Sequence, residues 1–256
     1  GGAVRMASSA PTSSEDILRI LNSNDPNNNV GEAIKPKVGR KLHLVKNHPL
    51  NIIKTKIEEY FMAYGRDNNY PDFKVYDDLS PIVTAQQCFD DLLIPPDHVS
   101  RKPSDTYYCS ETTLLRPHTS AHQSTFIAAG EPAFLVTGDV FRRDEIDASH
   151  YPVFHQMEGV RIFETDEVDP VGQPREQGVE YVAEDLKRIL GGLARHLFGD
   201  VEMRWVDAYF PFTEPSYELE IYFNGDWLEV LGCGVVQQDI VRTAGQGEKL
   251  GGAFGL

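Results

Sequence analysis

Three features of this 256-residue sequence predict an α+β fold with a mainly antiparallel sheet flanked by helices. Two long stretches repeat apolar residues at helical spacing. The strand-like segments cluster in hairpin pairs, without the strand–helix alternation of a doubly wound parallel sheet. Asn224-Gly225 stands between two alternating apolar runs, the strongest short signal for a two-residue hairpin turn.

Taken in order, residues 1–37 are expected to form a flexible N-terminal arm. The opening GGAVRMASSAPTSS has one arginine and no apolar run of a secretory signal, a composition shared by transit-peptide tails and disordered ends. Residues 22–34, NSNDPNNNVGEAI, are turn-prone. From residue 38 to residue 256 a single domain is expected. Leu50, Ile53, Ile57, Tyr60, Phe61 and Tyr64 then mark an amphipathic helix over residues 48–64. Pro71, Pro81, Pro95, Pro96 and Pro103 break residues 65–112 into short strands and loops. A helix follows "LRPH", with Ser120 and Gln123 at capping-box spacing and Gly130 and Pro132 closing it. AFLVTGDVFR (133–142) and HQMEGVRIFE (155–164) read as strands flanking a charged loop. After a solvated connection over 165–177, the second long helix places Val179, Val182, Leu186, Ile189, Leu193 and Leu197 on one face. VEMRWVDAYFPF is a strand ending at Pro211, and residues 216–236 form the Asn224-Gly225 hairpin.

The composition narrows the function classes. The net charge is −15, divided as +3 over residues 1–50 and −18 over the rest. A protein gripping nucleic acid through an extensive basic face is therefore not expected. No apolar run reaches the length of a membrane span, and no membrane contact is expected. Three cysteines without a CxxC pair argue against a disulfide framework or zinc ribbon.

The densest chemistry lies in VFRRDEIDASHYPVFHQMEG. If strands bracket this loop, Arg142 and Asp144 share one face, as do Phe154, Gln156 and Glu158. Arg142 is suited to a phosphate, Phe154 to stacking on a planar base, and His150 to a terminal phosphate. A surface hairpin with an ion-pair ladder is the competing reading. His118 and His122 are four apart, but the HExxH glutamate and a third ligand are missing, so no metal site is expected there. The turn at Ser120 is instead placed to receive an anionic group, with Gln123 one turn further on the same side. Phe210 and Phe212, two apart, wall either a core or an aromatic slot.

In this order HPL (48–50), FDDLLIPPDHVSRKPSDTYY (89–108), LLRPHTSAHQ (114–123), GDVFRRDEIDASHYPVFHQMEG (138–159), RWVDAYFPFTEPS (204–216) and WLEVLGCGVV (227–236) resemble the class II aminoacyl-tRNA synthetase core. More narrowly, they resemble the organellar, mitochondrial-type, single-chain phenylalanyl-tRNA synthetases. The resemblance implies a class II synthetase-like sheet and ATP-dependent activation of phenylalanine, with transfer to tRNA(Phe). It further implies ATP and Mg²⁺, no protein partner, and a mitochondrial matrix location. It assigns ATP binding to Arg142, Asp144, His150 and Phe154, with Arg142 also the catalytic residue. Phenylalanine falls to His118, Ser120, Gln156, Glu158, Phe210, Phe212 and Ala253. Asp144 stands where the family usually has glutamate. The third motif of the family runs past AFGL, so the resemblance also implies a core cut inside that motif and lacking the C-terminal anticodon-binding domain. A synthetase-like amino-acid-binding module or an inactive core fragment is the alternative.

Overall fold

The computed structural model describes residues 13–143, 151–168 and 175–256. Its centre is a seven-stranded sheet. The strands of the chain are β1 (Lys74–Tyr76), β2 (Ile82–Thr84), β3 (Thr113–Leu115), β4 (Ala133–Phe141), β5 (Val153–Phe163), β6 (Met203–Phe210), β7 (Thr213–Phe223), β8 (Asp226–Val236) and β9 (Leu250–Gly255). The main sheet runs β1-β4-β5-β9-β8-β7-β6, while β2 and β3 pair separately. Only β1–β4 is parallel; the other pairings in the large sheet are antiparallel. The predicted fold class holds.

The helices are α1 (Ser14–Leu21), α2 (Pro49–Asp67), α3 (Ala85–Cys88), α4 (Gln123–Ala128), α5 (Thr165–Val168), α6 (Arg175–Phe198) and α7 (Gln238–Thr243). Both long helices fall where their periodicity places them, and they pack together on one face of the sheet, here called the back. Ile57 and Phe61 of α2 meet Leu186, Ile189, Leu190 and Leu193 of α6 over Leu135, Met157, Leu219, Ile221, Leu231 and Phe254. The buried stripe of α2 is rotated from the expected one. Lys54 is buried, held by Glu58 at 2.8 Å and Asp77 at 2.6 Å, while Ile53 is 46% exposed. A lysine can be drawn inward when two carboxylates satisfy its ammonium.

Residues 13–37 also differ from the expected arm. Ser13 caps α1 by accepting from the Asp16 amide. Ile17, Leu21, Val30 and Ile34 are buried with Ile82, Tyr107, Leu115 and Phe141. Asn29 ties this segment down: its side-chain amide donates to the Pro103 and Thr106 carbonyls, and its carbonyl accepts from the Tyr108 amide. Residues 1–12 lie outside the described residues.

β5 is the middle of the arrangement, paired with β4 on one edge and β9 on the other. Gly159 faces the back, where the Phe254 ring lies over it and stacks on Phe61, with centroids 5.1 Å apart and planes at 5°. A Cβ at residue 159 would lie 2.1 Å from the Phe254 ring. Gly159→Ala is therefore expected to destabilise the protein by roughly 1–3 kcal/mol through overpacking. Chemical denaturation with an unchanged m-value would record it.

Candidate active site

Strand alternation puts Phe154, Gln156 and Glu158 on the front of β5, opposite the face covered by α2 and α6. Gly255 and Ala253 of β9 stand beside Glu158 and Val160 in register, so they share that front face. Above it lies a cavity of about 560 Å³. His118, Ser120, Arg142, Gln156, Glu158, Phe210, Phe212 and Ala253 all line it. Eight of the residues expected at a site thus converge from five chain segments. Phe154 lies next to it: the Arg142 guanidinium carbon sits 5.1 Å from its ring centroid. Asp144 and His150 lie outside the described residues.

One end of the cavity is apolar. Phe210 ends β6 and Phe212 lies in the following turn, not on the same strand. Their rings nevertheless stack, 6.0 Å apart with planes at 17°. Phe210 rests on Gly232 of β8, where a Cβ would come within 2.8 Å of the ring. Only a glycine lets the ring lie this close to the strand.

The other end is polar and buried. Ser120 donates its hydroxyl to Glu158 Oε2 in a short hydrogen bond. That contact replaces the expected capping box: Ser120 lies in the single 3₁₀ turn Thr119–His122, and His122, without a side-chain cap bond, precedes α4. The Thr119 amide is taken by Gln156 Oε1 at 3.0 Å. Gln123 is fully buried, and neither end of its amide has a partner among the described residues.

Burial sets the protonation of this end. It pushes the Glu158 carboxyl up to about 8, against a lesser lowering by the Ser120 hydroxyl. His118 is driven down to about 3 by burial and then by the Arg142 charge, so the imidazole is neutral. Glu158 Oε1 and His118 Nδ1 both lack hydrogen-bond partners among the described residues. A buried acceptor and a buried ring nitrogen facing the same cavity are costly unless a ligand completes them.

Two groups of lining residues received no role from sequence reasoning. One wall is built by Ile94, His98, Val99, Ser100, Asp105 and Thr106, contributed by the loop after α3. The Arg143 amide fastens this wall to the end of β4 by donating to the Asp105 carbonyl at 2.9 Å. The other is Glu229 of β8, at the rim. It pairs in register with Glu220, and Glu218 follows two residues away on the same face. Burial, then the charges of Glu229 and Glu220, raises the Glu218 carboxyl above its ordinary value. Among the described residues no three His, Cys, Asp or Glu side chains form a ready metal cage.

Residues 34–256 match the family of tRNA synthetases class II core domain (F). The chain is similar to a phenylalanine–tRNA ligase, chloroplastic/mitochondrial, of Arabidopsis thaliana. The two are 54% identical over 238 residues, covering 93% of this chain and 54% of that protein. A mitochondrial phenylalanine–tRNA ligase of Mus musculus is 48% identical over 269 residues, covering 96% of this chain and 60% of that protein. The chain thus spans little more than half the length of these relatives. In fold it is similar to a pyrrolysyl-tRNA synthetase from Desulfitobacterium hafniense, with a TM-score of 0.58 at 15% identity over 94% of this chain and 85% of that one.

The raised Glu158 carboxyl has a defined effect on stability. Between the ordinary carboxyl value of 4.5 and about 8, the folded protein holds a proton that the unfolded chain has released. Stability therefore falls as pH rises through that window. Glu158→Gln, which cannot ionise, is expected to lose this component. Its stability relative to the parent should rise by on the order of a few kcal/mol between pH 5 and 8, read from denaturation midpoints across pH.

Proposed function

We infer the activity from one established premise: the chain belongs to the class II tRNA synthetase core domain (F) family. The cavity is read as a phenylalanine and ATP site, and the protein as an ATP-dependent phenylalanine–tRNA ligase of the mitochondrial matrix. The observation that carries this reading is the stacked Phe210–Phe212 pair at one end of a cavity whose other end holds Glu158, Ser120 and Arg142. An aromatic amino acid has that polarity: a flat apolar ring at one end, an ammonium and a carboxylate at the other.

In this reading the phenyl ring packs against the stacked pair of phenylalanines, beside Gly232 and Ala253. The ammonium replaces the proton of Glu158 and is shared with Ser120 and Gln156, and neutral His118 lies beside the carboxylate. A carboxylate oxygen attacks the α-phosphorus of ATP in line. One phosphorus–oxygen bond forms, the bond to pyrophosphate breaks, and pyrophosphate leaves. No base is needed, because the nucleophile is already ionised; positioning and charge stabilisation carry the step. Arg142 spreads the charge on the carboxylate and α-phosphate, and the adenine stacks on Phe154. Asp144 is assigned to the adenine amino group and His150 to the γ-phosphate. In the second step a ribose hydroxyl of the terminal adenosine of tRNA(Phe) attacks the adenylate carbonyl, and AMP leaves.

Mg²⁺ takes octahedral oxygen ligands and usually keeps one or two carboxylates beside phosphate oxygens and water. Glu229 on the cavity wall and Glu218 beside it fit that use, since a divalent cation would relieve the repulsion that, after burial, raises Glu218. Glu229 and Glu218 would hold it, and it would neutralise phosphate charge.

Thermal shift and calorimetry with phenylalanine, leucine and a non-hydrolysable phenylalanyl-adenylate analogue test the reading. Phenylalanine and the analogue at a hundred times their dissociation constants are expected to add about 2.7 kcal/mol each, and leucine almost nothing. Phenylalanine affinity should rise with pH up to about 8, because its ammonium needs ionised Glu158. Arg142→Ala is expected to slow adenylate formation by on the order of a hundredfold or more. A cooperatively melting sample that none of these ligands stabilises would overturn the assignment.

A further inference from the structure

Seven of the 24 lysines and arginines fall within residues 33–57, a stretch with no aspartate or glutamate. The remainder of the chain carries 17 basic and 39 acidic groups, so a segment of +7 stands on a body of −22. Four of the seven are engaged. Lys35 pairs with Glu32, Lys41 with Asp78, and Lys54 with Glu58 and Asp77. Lys37 donates to the phenol oxygen of Tyr151 at 2.6 Å. Arg40, Lys46 and Lys56 are exposed, and no carboxylate among the described residues pairs with them.

The ridge is tied to the strands that carry the site. The Gly39 amide donates to the Asp139 carboxylate of β4 at 3.3 Å. Tyr151, 59% exposed, lies two residues before β5. Next to it, the Pro152 carbonyl accepts from the amide of Arg142 at 3.1 Å. Lys37 and Gly39 therefore meet the outer end of the β4–β5 hairpin, Gly39 at Asp139, which pairs with His155 and so faces the back of the sheet.

We propose that Arg40, Lys46 and Lys56 form a docking ridge for the phosphate backbone of a structured RNA whose end reaches the cavity. The proposal rests on the aminoacylation reading for the identity of that RNA, but not for its charge argument. An RNA meeting a surface of −22 is repelled nearly everywhere, and a concentrated cationic strip then fixes both where and how it lands. Lysine and arginine side chains without carboxylate partners are available to neutralise phosphates and release their counterions. Exposed Leu44, Val45, Ile52 and Ile53 border the ridge, and an anionic membrane would find the same mixture attractive. The aminoacylation reading requires an RNA end in the cavity, and the Lys37 contact with Tyr151 at the outer end of the β4–β5 hairpin favours RNA over a membrane.

The test is fluorescence anisotropy of the full 256-residue chain with a short RNA hairpin ending in single-stranded CCA, over a salt series. Arg40→Glu/Lys46→Glu is expected to weaken binding at least tenfold at low salt. It should also flatten the log-affinity against log-salt slope by roughly two, about 0.9 for each lost phosphate contact. Adding Lys56→Glu should deepen both effects. Arg66→Glu/Arg195→Glu, an equal charge change at two other exposed arginines, is expected to leave the slope unaltered. An unchanged slope in the ridge variant, an equal loss in the control, or binding to phosphatidylserine vesicles with none to the RNA would each overturn the proposal. The adenylate analogue should still stabilise the ridge variant. If it stabilises the parent and the RNA ignores the ridge, the ridge fails and the ligase reading stands. If it stabilises neither while RNA binding still depends on the ridge, the ligase reading fails and the ridge stands.

Discussion

β5 is paired with β4 along nine residues on one edge and with β9 along six on the other. That double pairing fixes which side chains of β5 face which way. Its front presents Gln156 and Glu158 to the cavity, with Phe154 beside it, while its back gives Met157, Gly159 and Phe163 to the core under α2 and α6. A slip of one residue would exchange the two sets. It would put a carboxylate under the helices and leave the Phe254 ring without its glycine. The apolar packing behind the sheet and the polar site in front of it are therefore two sides of one register.

A buried polar cluster braces the same region from behind and beside. Arg116 is almost wholly buried beside β4, beyond the stretch that pairs with β1, donating to the Asp139 carbonyl at 2.8 Å and to its carboxylate at 3.1 Å. His122 Nε2 lies 2.9 Å from the other guanidinium nitrogen. Burial, with the neighbouring arginine charge, holds His122 well below its ordinary value, so it is neutral and accepts. His155 lies across from Asp139, with its ring 5.3 Å from that of His43, and burial lowers it to about 4. One guanidinium thus serves a strand edge, a carboxylate and a histidine next to the turn that presents Ser120. Removing one partner of such a group costs more than the pair contributes, because the other is left charged and dry.

The parts of this molecule legible in the sequence are those governed by local periodicity. Helical spacing locates α2 and α6, the Asn-Gly pair locates the β7–β8 turn, and two-residue alternation groups Gln156 with Glu158. What escaped depends on partners distant along the chain. Ser120 and Gln123 have capping spacing, yet the Ser120 hydroxyl goes to Glu158, 38 residues away, which no local pattern encodes. Ile53 looks like a core residue by spacing, but Lys54 takes the inward position because Glu58 and Asp77 meet it. Residues 13–37 read as linker by composition, and their few apolar side chains are buried by strands met only in three dimensions. The wall from Ile94 to Thr106 and the rim glutamate carry no motif of their own, so only the fold brings them to the cavity. The resemblance to synthetases covered both segments without giving either a role.

Gly232 leaves the aromatic slot with an uneven evolutionary future. Phe210 lies against bare backbone, so the floor of the slot has no side chain left to lose. Any substitution at that position can only raise the floor and narrow the slot. On the proposed reading of the cavity, a lineage that came to accept a bulkier ligand would have to trim Ala253 to glycine or replace one of the two rings. The first route removes a single methyl group; the second dismantles the stack that shapes the slot. Selectivity built on main chain is easily tightened by drift and loosened through very few doors.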